Sequence, residues 1–331
     1  MRLIIYGLGA IGGAVAAGLT RAGREVVGIA RGDRLAALRE RGLRFRTPLL
    51  EDRVRFPLVE DPAQIEFRSG DALLLALKTQ HVEPALDRLR AAGWTSGSIF
   101  CALNGIESER LTLRRFPNVH GVLVMMPASY LDIDEACAYS HPRHGVFESG
   151  LPQGGCDEDD LRFAELMEVG NIGGFAVEDV MAAKTGKLLL NLGNVIGAAF
   201  GERDRDDGDP AALRAAARAE AETVLRAAGR PWREVGAADP RRDALMKQGE
   251  IAGARRAGSS TAQSLARGVG DIETDFLNGE IALHARLAGV PAPINAHLAA
   301  LGARMAREGA APGSADLGTE LAAMRAAGAS V

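Results

Sequence analysis

The chain has 331 residues, 47% of them hydrophobic and 25% charged, and its 39 Lys and Arg against 43 Asp and Glu leave a net charge of −4. That length exceeds one ordinary core and predicts two domains, while arginines dispersed among acids exclude nucleic-acid binding by bulk charge. No stretch approaches the roughly 20 uninterrupted apolar residues of a membrane span. Three cysteines, Cys101, Cys137 and Cys156, without a CxxC pair predict a reducing compartment, read as the cytoplasm, and no disulfide scaffold.

The first residues, MRLIIYGLGAIGG, have the basic-apolar start of a leader peptide, but the apolar run ends in a glycine motif that belongs to folded structure. A strand over residues 2–6 is followed at once by Gly7-Leu8-Gly9-Ala10-Ile11-Gly12, then by a helix over 14–22 closed by Gly23 and a second strand over 25–30. Strand, GxGxxG, helix and strand within about 30 residues is the setting in which the motif binds a dinucleotide. Gly7 permits the tight turn, Gly9 lets the backbone approach a pyrophosphate, and Gly12 lets the helix lie on the strand. With Leu8, Ala10 and Ile11 between them, these residues lead into a helix N-terminus whose N–H groups face the phosphates.

The end of the second strand selects the cofactor. An Asp or Glu there favours the unphosphorylated dinucleotide, whereas this chain has Arg31, followed by Gly32, Asp33 and Arg34. A guanidinium suits a 2′-phosphate, so NADPH is the expected cofactor. Asp33 is expected to cap a helix over 34–41.

Residues 43–45 and 54–56 alternate as in an exposed hairpin. Residues 71–77, DALLLAL, form a continuous apolar run suited to a strand buried on both faces, and Lys78, Thr79 and Gln80 stand at its end. A second such strand, 98–103, ends in Asn104-Gly105. Ligands sit at the carboxyl ends of such strands, which makes Lys78, Gln80 and Asn104 candidates for the nicotinamide side, although each also suits a cap or a solvated loop. A strand over 119–126 follows. Cys137, His141, His144 and Cys156 match no common zinc spacing, so no metal is expected. Residues 140–149 and 173–177 read as later antiparallel strands flanking a helix over 157–169. The fold class is therefore α/β: an N-terminal Rossmann-type doubly wound sheet over 1–177, and an all-helical substrate domain over 178–331.

From residue 178 onward helical periodicity dominates and strand signals vanish. Residues 180–200 read as one helix buried in a core, and set into it are Lys187, Asn191 and Asn194, at i, i+4 and i+7 on one face. Such polar groups require a network or a polar ligand. Helices over 210–228, with Asp209 as cap, 295–307 and 319–327 complete the half. Polar residues at 259–264 and 271–280 fall where the period predicts burial, and a carboxylate there, Glu273, could settle the charge of Lys187.

The glycine motif, Leu77-Lys78-Thr79-Gln80, Asn104-Gly105, Lys187-Leu188-Leu189-Leu190-Asn191, Ser259-Ser260 with Gln263, Glu273-x-Asp275-x-x-Asn278-Gly279 and Gly289-Val290-Pro291-x-Pro293 occur in one order. Together they resemble the ketopantoate reductase (2-dehydropantoate 2-reductase) family from Gly7 to about Leu301. The resemblance implies a Rossmann domain, a helical domain, an active site in the cleft between them, and reduction of 2-dehydropantoate to pantoate with NADPH on the route to pantothenate. It assigns Lys187 as general acid, Glu273 as partner of that Lys and of the substrate, and Asn191 and Ser260 as substrate contacts. Lys78 and Asn104 fall along the cofactor and reaction centre. The chain departs from the family at Val195, where the second helix Asn is replaced by Asn194 one residue earlier, and at Thr185-Gly186, which stand for Trp-Arg. These departures border the substrate, leaving open another branched 2-oxo acid or a non-catalytic NADPH-binding sensor. A homodimer is allowed but not specified; no nucleic-acid or membrane partner is expected.

Overall fold

The computed structural model describes all residues except 202–208, 255–257 and 269. In chain order the first elements are β1 (Arg2–Tyr6), α1 (Ala10–Arg21), β2 (Val26–Ile29), α2 (Gly32–Arg41), β3 (Leu43–Arg46), β4 (Glu51–Val54), β5 (Leu58–Val59), β6 (Asp71–Leu75) and α3 (Val82–Ala91). Then come β7 (Ile99–Cys101), α4 (Ser108–Leu113), β8 (Val119–Met125), β9 (Ala128–Ser129), β10 (Glu135–Ala138), β11 (Ser140–Pro142), β12 (Val146–Gly150), α5 (Glu158–Val169) and β13 (Gly173–Ala176). The rest is α6 (Val180–Asn191), α7 (Gly193–Phe200), α8 (Pro210–Ala227), α9 (Pro240–Leu245), β14 (Met246–Gln248), α10 (Ser260–Ala266), α11 (Asn278–Ala288), α12 (Pro293–Glu308) and α13 (Leu317–Ala326).

The apolar runs form an eight-stranded sheet ordered β13-β12-β8-β7-β6-β1-β2-β5. Alternate residues of each strand face opposite ways, so Leu3, Ile5 and Leu74 enter one core with α1, while Ile4, Tyr6, Leu73 and Leu75 enter another with α3. Burial on both faces explains why these strands lack polar alternation. The hairpin expected at 43–56 is β3 and β4, paired antiparallel within a second sheet ordered β4-β3-β10-β9. The late strands differ from the all-antiparallel expectation: β12 runs antiparallel to β8, but β13 runs parallel to β12 because α5 crosses between them.

The chain divides into two compact units, Met1–Lys184 with Glu234–Arg255, and Thr185–Arg233 with Arg256–Val331. The break thus falls inside α6, and a segment from the second half of the sequence returns to the first unit, where β14 pairs with β11. Among its described residues the second unit holds only helices, around a core that includes Val195, Ile196, Leu213, Leu298 and Met305. Asp209 accepts from the Ala211 N–H at 2.7 Å and caps α8 ahead of Pro210, as its sequence position predicts.

Two helical expectations are corrected. α2 begins at Gly32 with Arg31 in the capping position, so Asp33 lies in the first turn, where its charge still suits the helix dipole. Residues 180–200 are two helices, broken at Leu192, whose carbonyl accepts from the Asn278 side chain at 3.2 Å. Nor is that helix buried on all sides, since Leu190 is 42% exposed.

Candidate cofactor and substrate site

In the large sheet β1 lies between β2 and β6: the chain first extends the sheet through β2 to β5, then returns past β1 to β6, and this reversal opens a crevice at the strands' carboxyl ends. The glycine turn occupies that crevice. Gly7 adopts φ +103°, and a Cβ there would stand 2.5 Å from the Ala76 carbonyl oxygen; at Gly12 it would stand 2.0 Å from that of Gly7. Gly9 meets only the Tyr130 ring, at 3.7 Å, so the turn stays open at the position where a pyrophosphate approaches. No side chain caps α1, and the N–H groups of its first turn are available to an anion.

A pocket of about 170 Å³ is lined by Tyr6, Gly7, Leu8 and Gly9, the end of β2 through Arg31, and Arg34, Leu77 and Tyr130. Arg31 is exposed at its rim. Arg34 instead turns inward: it donates to the Leu8 carbonyl from Nε at 3.0 Å and from Nη2 at 2.8 Å, and to the Glu135 carbonyl at 3.1 Å. Its guanidinium lies 4.7 Å from the centroid of the Tyr130 ring. Arg34 therefore clamps the glycine turn, a role that its place in the sequence does not reveal, and Tyr130 adds an aromatic wall. The glycine cradle, the uncapped helix end and the arginine at the end of β2 fit a dinucleotide.

Lys78 and Gln80 lie half-buried where β6 gives way to the short turn Thr79–His81, and Asn104 lies half-buried just past β7. β6 and β7 are neighbours, so all three residues share the sheet edge that holds the glycine turn.

The deeply buried lysine of α6 is Lys184, not Lys187. Its side chain is 2% exposed and pairs with Glu109, itself 1% exposed, at 2.6 Å. The ammonium also donates to the carbonyls of Leu103 at 2.9 Å, Cys101 at 3.2 Å and Val122 at 3.3 Å. The first turn of α6 reaches this depth because β8 carries Gly121, where a Cβ would press on Val180 and Met181 at 3.2 and 3.3 Å. Lys184 stands one turn before Lys187 with Ala182 and Ala183 beside it, which was the one local sign of a second buried position.

In the second unit Lys187 is half-buried on α6. Asn191, one turn on, is buried, and its amide nitrogen has no hydrogen-bond partner among the described residues. Asn194 is half-buried on α7, and its carbonyl accepts from the Ser259 hydroxyl at 2.9 Å, which sets the start of α10 beside α7; Ser260 there is exposed. Asn278 reaches the break at Leu192, next to Asn191, and also donates to Asn295 Oδ1 at 3.0 Å. Of the acidic patch, Glu273 is buried and Asp275 exposed. The elements carrying Asn191, Asn194 and Ser260 are thus packed together at the α6–α7 break.

Among the described residues one group has metal-ligand chemistry, His120 with Asp157 and Asp160. These side chains are engaged otherwise: His120 Nδ1 meets Asp160 at 2.9 Å, and the two carboxylates form the reciprocal cap of α5.

Comparison with known proteins adds an independent measure. The family described as ketopantoate reductase PanE/ApbA matches residues 3–149, and its C-terminal counterpart matches residues 179–306. A 2-dehydropantoate 2-reductase of Mesorhizobium japonicum (strain LMG 29417 / CECT 9101 / MAFF 303099) is 37% identical over 109 residues, so the match spans 32% of this chain and 32% of that curated relative. The PanE/ApbA family ketopantoate reductase from Ralstonia eutropha JMP134 has the same fold, with a TM-score of 0.77 at 24% identity over 93% of this chain and 99% of that one. D-mandelate dehydrogenase, solved with NADH and anilino(oxo)acetate, has it too, with a TM-score of 0.77 at 18% identity over 93% and 99% of the two chains. Matched in order through both of its halves, the chain belongs to the ketopantoate reductase PanE/ApbA family.

Proposed function

We propose that the chain reduces a 2-oxo acid to the 2-hydroxy acid with NADPH, with 2-dehydropantoate the first candidate substrate. The observation that carries this reading is Asn191, whose buried, unpartnered amide N–H group follows Lys187 by one turn on the same helix face. An unpaired buried donor costs free energy unless a ligand satisfies it, and an oxygen-rich acid is such a ligand. When bound, NADPH supplies the hydride. Lys187 Nζ holds the proton that the substrate's carbonyl oxygen needs as negative charge develops on it, and Glu273 favours the charged form of that ammonium. Ser260, Asn191 and Asn194 orient the acid. The glycine turn, Arg31, Lys78, Gln80 and Asn104 hold the dinucleotide, and Arg31 meets the 2′-phosphate.

A second reading keeps the chemistry and changes both partners, since D-mandelate dehydrogenase has this fold and was solved with NADH. Cofactor oxidation across a panel of 2-oxo acids, with NADPH and NADH in parallel, separates the two. Lys187→Ala is expected to lower kcat by about a hundredfold or more while leaving NADPH affinity within about threefold. Wild-type turnover in that variant would overturn the assigned acid, preference for NADH would overturn Arg31, and inertness toward every acid would favour a sensor.

A further inference from the structure

Lys184 and Glu109 are more than burial requires. A buried ion pair seldom stabilises a fold more than an apolar pair of similar volume, because desolvating two charges offsets their attraction. This pair is built into the end of the sheet. β7 ends at Cys101, which lies opposite Gly121, and β8 runs on beyond that point, so the two strands part company there. Lys184 stands in the fork, donates to three backbone carbonyls, and forms an ion pair with Glu109 Oε1 at 2.6 Å. One of these is the Leu103 carbonyl, in the peptide that leads directly to Asn104. Gly105 then turns the chain at φ +77°. Glu109 is held in its turn by the Ser108 hydroxyl, which donates to Oε2 at 3.0 Å.

The geometry points to Lys184 as a positioning residue: its ammonium, neutralised by Glu109, grips the Leu103 carbonyl and so fixes Asn104 for the nicotinamide end of the dinucleotide. The identity of that ligand rests on the proposed function; the grip on the turn is a property of the chain itself. At 2% exposure Lys184 acts through the turn and not on a ligand. Removing it alone would strand the Glu109 carboxylate, so the informative variant is Lys184→Met with Glu109→Gln, which removes both charges.

The test is backbone amide relaxation at Asn104 and Gly105, read beside the kinetics. In the wild-type protein both amides are expected to be as ordered as those of β7, with order parameters near about 0.85; values below about 0.6 would overturn the proposal without any variant. In the double variant, folding cooperatively, these two amides are expected to loosen while those of the glycine turn do not. The kcat is expected to fall about tenfold or more, and KM for NADPH to change less than about threefold. A folded double variant with wild-type order at the turn and wild-type kcat sinks the assignment, and if the double variant does not fold, the wild-type order parameters decide. A wild-type chain inert toward every 2-oxo acid would remove the proposed function, and the relaxation data would still judge the turn.

Discussion

Tyr6 and Lys184 show two ways in which a buried polar atom can be settled. Lys184 has four oxygens around one ammonium. Tyr6 is 2% exposed, and its hydroxyl finds no partner among the described residues; burial pushes its pKa up, while the Arg31 and Arg88 charges pull it down. Leaving a hydroxyl unpaired forfeits its bonds with water, at a cost of about 1–3 kcal/mol. Tyr6→Phe removes only that atom, so unfolding by urea should show stability unchanged or raised by about 1 kcal/mol. A loss of that size would mean the hydroxyl has a native partner after all. At this scale the sequence was readable where residue type decides the role, as at Gly7, a glycine that must turn. It was unreadable where the partner is remote. Lys184 and Lys187 look alike on paper, and what buries the first is Glu109, far earlier in the chain and brought near by the packing of α4 and β8.

Elements were legible in proportion to their length and burial. The long apolar strands and the capped helix α8 carry their signals within themselves, whereas β14 has three residues and only Met246 buried, so no period could announce it. The break at Leu192 has a weak local mark in Gly193, but the side chain that satisfies its carbonyl, Asn278, lies on another element. α6 also explains one departure from the family pattern. A Cβ on Gly186 would stand 1.8 Å from the Arg233 carbonyl oxygen, so the helix and the returning chain touch backbone to backbone, and no Arg could occupy this position. Gly186→Ala must therefore push two backbones apart, and its gain in helix propensity, about 1 kcal/mol, is outweighed. The expected result is a net loss of about 1–3 kcal/mol by thermal or urea unfolding. Leu190→Ala, on the exposed face of the same helix, should cost well under half of that. Equal losses in the two variants would mean that the Arg233 segment yields freely.

For the molecule as a whole, the acid limit of activity is expected to be set by the fold before the site. His144 lies between β11 and β12 in the first unit, 5% exposed and edge-on to Phe45 with ring centroids 5.1 Å apart. Asn171 Oδ1 accepts from Arg143, so its amide nitrogen faces His144 Nε2, at 3.4 Å, and keeps that ring atom an acceptor. Protonation would put a second N–H against that amide. Burial, with the Arg21 and Arg143 charges, lowers the imidazole pKa from 6.5 to about 4. The unfolded chain therefore binds a proton that the folded one refuses between those values. The stability tied to neutral His144 is fully present above pH 6.5 and is lost as pH falls toward 4, by at most about 3 kcal/mol. Replacing the ring by an apolar side chain, His144→Met, should lower stability at pH 7.5 through lost packing, yet flatten its decline between pH 6.5 and 4 in urea titrations. Unchanged steepness in that variant would move the acid sensitivity elsewhere. The consequence for function is direct: a fall in kcat below pH 6 that is smaller in His144→Met than in the wild type reports unfolding, while a fall common to both belongs to groups at the site.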